Sequence, residues 1–373
     1  MKLEDKKMSK LLIALIILVS IVLVAVLGFK LFDYIRAFEF YNNSEVVFKT
    51  PGVNNSNFVP QGMTYDAKSG VYFFTGYMGK PILGELGDDV ASRVYVRHAD
   101  GTVTFTRLLD KEGNPYTDHT GGIEYFNDGK DGYIYVTGED SHGLDVFSAK
   151  DILDGKAETK MLGTVKTYNS PAHTYTFNYK GQRYILAGSY HKDETVYLTP
   201  DHEKIAIPGA DVTNTSVMTV FKLDASAQFG INPEPVAIIS AREMIQGICI
   251  TPEGQLVISS SWGLATSNLF FYDMDDFVCI DENYNYKGQI AYGDLEDENA
   301  EKTYEHFDFT VPCYVIDSHD PERVVVAPPM SEELVCLDGK IIVFCESACN
   351  KYIFGKLTTG FGTYALRYLE LDK

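Results

Sequence analysis

The sequence predicts an all-β molecule, a ring of repeated four-strand sheets preceded by one apolar helix. Three observations carry that reading. One hairpin pattern occurs five times, Tyr and Phe are abundant at 25 and 22 of 373 residues, and helix signals beyond the first forty residues are few. Aromatic side chains favour the pleated, half-buried surface of strands.

The N-terminus differs in character from the rest. Leu11 to Gly28, "LLIALIILVSIVLVAVLG", holds no charge and only one polar residue, about the minimum length for crossing a bilayer. Lys2, Lys6, Lys7 and Lys10 precede it, so the positive-inside rule keeps the N-terminus cytoplasmic and sends the remainder out. A cleaved signal peptide has a shorter apolar core and a small-x-small site, which this run lacks. The sequence therefore predicts a cytoplasmic tail (1–10), a transmembrane signal anchor (11–29), a juxtamembrane linker (30–43) and an extracytoplasmic β-domain (44–373). Residues 1–36 carry six basic and three acidic side chains, a net +3, which leaves −23 of the total −20 for the remainder. So acidic an ectodomain repels nucleic acid and anionic lipid, and excludes both as partners. The expected partners are the cell membrane, through the helix, and a small polar ligand, surface glycan or protein.

The repeat is clearest in "DHTGGIEYFNDGKDGYIYVTGEDSHG" (118–143). Counterparts are "QGMTYDAKSGVYFFTGYM" (61–78), "HTYTFNYKGQRYILAGSYH" (173–191), "QGICITPEGQLVISSSWG" (246–263) and "EELVCLDGKIIVFCESACN" (332–350). Each pairs two short strands across a glycine turn. Third strands follow at 92–98, 143–149, 216–223 and 267–274, with only "KYIFGK" (351–356) in the fifth copy. Fourth strands are expected at 101–109, 159–168 and 234–242. Repeated four-strand units mark a β-propeller, each sheet one blade around a central channel. Five copies predict five blades, with long insertions at 79–91, 192–215 and 294–329. A sixth, aberrant blade from "CYVIDSHDPERVVVAPP" is the alternative. "SEVVFKT" (44–50) is placed to supply the outer strand of the last blade and close the ring, leaving no bare edge. Short helices are expected only at "SAKDILDG" and "SAREMIQ".

In such a meander the residues opening strand one and those linking strands two and three share one mouth of the channel. Gln61, His119, His173, Gln246, Glu332 and Glu333 open first strands. Tyr77, Glu139, Asp140, Tyr190, His191, Trp262, Glu346 and Asn350 follow second strands. The opposite mouth receives only turn chemistry such as "DAKSG" and "PEGQ". Three roles are therefore expected at one mouth. His119 and His173 are candidates for general acid and base. Gln61, Tyr77, Tyr190, His191, Gln246 and Trp262 are candidates for ligand contacts, the aromatics as stacking walls. Oxygens of Glu139, Asp140, Glu332, Glu333, Glu346 and Asn350 are candidates for a Ca²⁺ site. Against these stand ordinary blade packing and solvated rim charge.

No Gly-x-Ser-x-Gly elbow, phosphate-binding loop or His-Glu-x-x-His helix occurs. All six cysteines lie between 249 and 349. Cys249 and Cys336 fall in apolar runs and read as core, whereas Cys345 and Cys349 flank a loop and are placed to pair.

"VPQGMTY", "HTGGIEY", "IQGICITPEGQLVISSSWG" and "APPMSEELVCLDGKIIVFCESACNKY" together resemble bacterial secreted or membrane-anchored propeller proteins, distantly similar to the NHL and lactonase-type propellers. That resemblance implies a divalent cation at the channel mouth held by Glu, Asn and Asp. The expected function is a cell-surface propeller that binds a small polar or carbohydrate-like ligand at one mouth. The alternative is a metal-dependent hydrolase, lactonase-, esterase- or glycosidase-like, using the same mouth.

Overall fold

The computed structural model describes residues 2–53, 57–80, 90–127, 129, 132–192, 200–292, 302–360 and 363–370, with backbone alone for 2–9, 353 and 358. Helix α1 (Lys2–Arg36) is followed after one residue by α2 (Phe38–Asn42) and then by β1 (Ser44–Lys49). Within it, Lys10–Arg36 is long and apolar enough to cross a membrane. Five sheets follow. The first is β2 (Phe58–Asp66), β3 (Val71–Met78), β4 (Arg93–Arg97) and β5 (Val103–Leu109). The second holds β6 (Ile123–Phe126), β7 (Tyr133–Gly138) and β8 (Gly143–Ser148). Helix α3 (Ala149–Leu153), N-capped by Ser148, leads from β8 to β9 (Glu158–Lys160), which returns to the edge of the first sheet. Then β10 (Gly163–Lys166) completes the second sheet.

The third sheet is β11 (Pro171–Tyr179), β12 (Gln182–Ser189), β15 (Ser216–Leu223) and β16 (Ile231–Ala241), with the two-residue pair β13 (Ile205–Ala206) and β14 (Thr213–Asn214) in the β12–β15 connection. The fourth is β17 (Ile245–Ile250), β18 (Gln255–Ser260), β19 (Ser267–Asp273) and β22 (Arg323–Ala327). Between β19 and β22 runs a long hairpin, β20 (Val278–Tyr292) and β21 (Thr303–Val315), which extends the third sheet through parallel pairing of β21 with β16. The fifth sheet is β23 (Ser331–Leu337), β24 (Lys340–Cys345), β25 (Ala365–Glu370) and β1. The protein is a five-bladed β-propeller closed by its first strand, as "SEVVFKT" predicted.

Three sequence expectations are corrected. "KYIFGK" is not a strand: its residues form a 3-10 turn (Asn350–Tyr352) and helix α4 (Ile353–Thr358), and β25 is the third strand of blade five. "SAREMIQ" is not a helix, although Ala241, Met244 and Ile245 stand at helical spacing: Ser240 and Ala241 end β16, Ile245 and Gln246 open β17, and a bend joins them. All six cysteines are free, Cys345 and Cys349 both being buried. The expected 79–91 insertion falls largely outside the described residues.

Why glycine recurs at the start of the inner strands is now explicit. The first strands of the blades meet around a narrow axis, backbone against backbone. A Cβ on Gly62 would stand 2.9 Å from Ile123 N, and one on Gly122 would stand 2.6 Å from Thr174 N. A Cβ on Gly247 would collide with Glu333 Cα. Between blades, apolar layers complete the core; one of them joins Phe73, Val94 and Val96 to Ile134, Val136 and Phe147. Replacing Gly122 by Ala is expected to cost roughly 2–3 kcal/mol through overpacking, read as a lower urea midpoint at unchanged slope. A midpoint equal to that of the parent would show that the inner strands have room to separate.

Candidate functional site

At the mouth-proximal end of four inner strands the pairing register slips. Shifts fall between Pro60 and Gly62, Pro171 and His173, Ile245 and Gly247, and Ser331 and Leu334. A bulge re-aims the extra side chain, and the residues so displaced are Gln61, Ala172, Gln246 and the pair Glu332–Glu333. Gln61, Ala172 and Gln246 line one concave mouth cavity of about 520 Å³, within the range of ligand pockets. Tyr77, His119, Glu139, Tyr190, Trp262 and Glu346 line it as well, joined by Lys351 and Tyr352.

These groups form a linked polar wall. Gln61 Nε2 donates to Glu346 Oε2 at 2.6 Å. Lys351 lies 4.7 Å from the Tyr77 ring centroid and 5.0 Å from that of Tyr352, and donates to the Tyr77 hydroxyl. The Tyr77 and His119 rings are 4.8 Å apart, and His119 Nδ1 lies 3.7 Å from Glu139 Oε1. Across the mouth, Tyr190 donates to the Ser261 carbonyl at 3.1 Å, and Lys192 sits over the Trp262 ring. Burial in the concavity, with Lys351 nearby, holds the His119 imidazole below its ordinary value. Its side chain is still 40% exposed, so water limits the depression, and the ring is neutral at pH 7.

Other expected site residues lie elsewhere. His173 is fully buried, its ring filling the space left by Gly188, and both nitrogens lack hydrogen-bond geometry although the Ile245 carbonyl is close. Opposite Gly188 in the ladder, His173 points into its blade and cannot exchange protons with a ligand in the mouth. His191 pairs with buried Glu203 at 2.9 Å. The Asp140 side chain is exposed at the rim, and Asn350 accepts from Lys356 at 2.9 Å. Glu332 and Glu333 are buried in the channel wall. The six oxygen donors expected around a cation are thus dispersed, and among the described residues no three His, Cys, Asp or Glu side chains converge as metal ligands. The arrangement does not fit a Ca²⁺ site built from that set.

The far mouth is not bare. A smaller cavity of about 180 Å³ there contains Glu124, whose carboxylate accepts from Thr176 N and Oγ1, both at 3.0 Å, and from Thr64 Oγ1 at 3.1 Å. Four buried carboxyls therefore follow the channel. Glu346 and Glu332 repel one another, as do Glu332 and Glu333, and Glu333 and Glu124. Burial, above all, pushes Glu124 and Glu346 up to about 7, and burial with this repulsion pushes Glu332 and Glu333 well above the usual range. Glu124 was missed because a Glu inside "GGIEYF" reads as an ordinary strand residue. Lys351 and Tyr352 were missed because they read as strand. A wider hollow of about 760 Å³ between residues 200–202 and the β20–β21 hairpin lies away from the channel.

No protein-family model matches the chain, and no curated protein matches its sequence. Similar solved structures include a family-43 β-xylosidase/α-arabinofuranosidase from a compost microbial metagenome, in complex with xylotriose and in a calcium-free form. It is 13% identical, covering 88% of this chain and 94% of the other, with a TM-score of 0.41. A luciferin-regenerating enzyme is 11% identical over 88% and 96% of the chains, with a TM-score of 0.39. The fucoside-binding Aleuria aurantia lectin is 11% identical over 78% and 89%, with a TM-score of 0.32. The class of this protein, a five-bladed propeller, rests on its own strand order.

A carboxyl whose folded pKa is raised stabilises the fold below its unfolded value, and that contribution is lost as pH rises through the folded value. Stability is therefore expected to fall between pH 4.5 and 7 and beyond. Glu346→Gln should flatten this fall by roughly 3 kcal/mol, from its rise to about 7 over an ordinary 4.5. Equal pH slopes in urea melts of parent and variant would contradict the burial.

Proposed function

We propose that this protein is a single-pass, membrane-anchored propeller, N-terminus inside and blades outside, whose channel mouth binds a small polar, carbohydrate-like ligand. The observation that carries the reading is the mouth cavity itself. Tyr77, Tyr190, Trp262 and Tyr352 give it apolar faces, while Gln61, Gln246, Glu346, Glu139 and Lys351 give it donors and acceptors at several heights. Flat aromatic faces beside fixed amides and carboxyls suit the alternating C–H and O–H surfaces of a sugar. Calcium enters only as a measured addition, since the described donors do not gather around one point.

A hydrolytic reading is second, and one observation favours it. Burial pushes Glu346, in the cavity lining, up to about 7, the range in which a general acid operates. His119, neutral and beside Glu139, is the accompanying base.

Titrating the protein with a panel of neutral and acidic oligosaccharides by calorimetry tests the binding reading. Tyr77→Ala and Gln61→Ala should each weaken the tightest complex about tenfold, near 1.4 kcal/mol. Affinities unchanged in both variants would remove the mouth as the site. No turnover across a panel of glycosides and esters would remove the hydrolytic reading, and turnover that survives Glu346→Gln would remove Glu346 as its acid. Thermal melting should give the same midpoint in calcium and in EDTA; a cation-dependent rise would restore a metal site by linkage.

A further inference from the structure

The path of α1 along the propeller fixes which end of the channel meets the membrane. In blade five the mouth end is marked by Cys345 and the turn beginning at Glu346, and the far end by Lys340 paired with Glu370. Strand β1 sets Lys49 beside Ala365 at the mouth end and Ser44 beside Leu369 at the far end. The chain therefore arrives at β1 from the far end, where the Asn43 carbonyl accepts from Glu370 N–H at 3.1 Å. Glu39 binds Arg323 at the far end of β22, at 2.7 Å.

Earlier residues sit at the other level. Lys30 Nζ donates to the Thr359 carbonyl at 2.7 Å, and Asp33 accepts from Gly360 N–H, both in the mouth-end connection between α4 and β25. From Lys30 to Asn43 the helices thus descend the outside of the propeller from mouth to far end. That drop is about 20 Å at roughly 1.5 Å per residue. Ala37, Phe40 and Tyr41 pack into the layer formed by blades four and five, which pins this direction. Because α1 is one continuous helix, residues 11–29 project beyond the mouth end. Their length, about 29 Å, matches the ~30 Å hydrocarbon core of a bilayer.

One sector of the rim at that end is apolar, across from the exposed Glu139 and Asp140. Trp262, Leu264, Phe354 and Leu357 are 44, 51, 72 and 45% exposed. The first pair and the second are neighbours, since a Cβ on Gly355 would lie 3.2 Å from Leu264. The segment 350–359 carries two lysines and no carboxylate, in a chain of net charge −20. Apolar side chains with interspersed lysine are what an interfacial segment presents to headgroups.

We infer that the channel mouth faces the bilayer that α1 crosses, its Trp262–Leu264 and Phe354–Leu357 rim resting in the outer headgroup layer. The cavity then receives its ligand, a glycan headgroup carried by a membrane lipid, from that layer. This deepens the proposed function and rests on α1 being a retained anchor. The membrane it fits is zwitterionic, because the acidic blades repel a strongly anionic one.

Trp262 is the only tryptophan, so the full chain reports on itself. In phosphatidylcholine vesicles containing lipids brominated near the headgroup end of the acyl chains, Trp262 emission should fall by roughly half, as an interfacial residue lies within about 10 Å of that boundary. Phe354→Ser with Leu357→Ser should diminish the quenching. Retention of the chain on vesicles after alkaline extraction is measured in parallel. Retention without quenching overturns the inference and leaves the anchor standing. Loss of the chain from the vesicles overturns the anchor and the inference together. Quenching that is indifferent to both serines overturns the assignment of the rim.

Discussion

The structure depends on how closely five inner strands approach one axis. At Gly62, Gly122 and Gly247 the neighbouring backbone occupies the space a Cβ would need. So tight a centre leaves no room for long side chains along the glycine face, and the polar residues next to it are turned elsewhere. The register shifts at the tops of β2, β11, β17 and β23 do that turning. They send Gln61 and Gln246 into the mouth and leave Glu332 and Glu333 in the wall below it. Packing at the axis and the chemistry of the mouth thus have one cause.

The same confinement explains the acidic channel. Glu124, Glu332, Glu333 and Glu346 are each almost wholly buried, and an ionised carboxylate in such a place is costly. Burial and mutual repulsion shift all four toward the neutral form, Glu332 and Glu333 furthest, which lowers that cost. One oxygen of Glu332 and one of Glu333 lack a hydrogen-bond partner among the described residues, while the other Glu333 oxygen accepts from Ile248 N–H at 3.1 Å. The fold therefore places four carboxyls where ionisation is costly, at some expense in stability at alkaline pH.

Much of the ring was legible in the sequence because its signals are local. A glycine turn between two apolar runs defines a hairpin, and all five repeats coincide with β2–β3, β6–β7, β11–β12, β17–β18 and β23–β24. Gln61, Tyr77, His119 and Trp262 could be placed at one mouth from alternation of chain direction alone. What stayed hidden depends on long-range pairing. β22 follows β19 only after the β20–β21 excursion, and "KYIFGK" has strand-like composition but turns immediately after β24, where the chain must cross the mouth. The inward turn of His173 follows from a bulge that composition does not announce. The carboxylate of Glu124 becomes notable only once β6 is beside β11.

The clasp of Lys30, Asp33, Glu39 and Tyr41 joins the apolar helix to blades four and five, so the mouth has a set orientation relative to that helix. Whether the mouth is where ligand arrives is decided most directly by hydrogen–deuterium exchange with the tightest-binding oligosaccharide present and absent. Slowed exchange is expected only in segments around Gln61, His119, Gln246 and Glu346–Tyr352. Protection appearing instead along the β20–β21 hairpin, or nowhere, would contradict a site at the mouth.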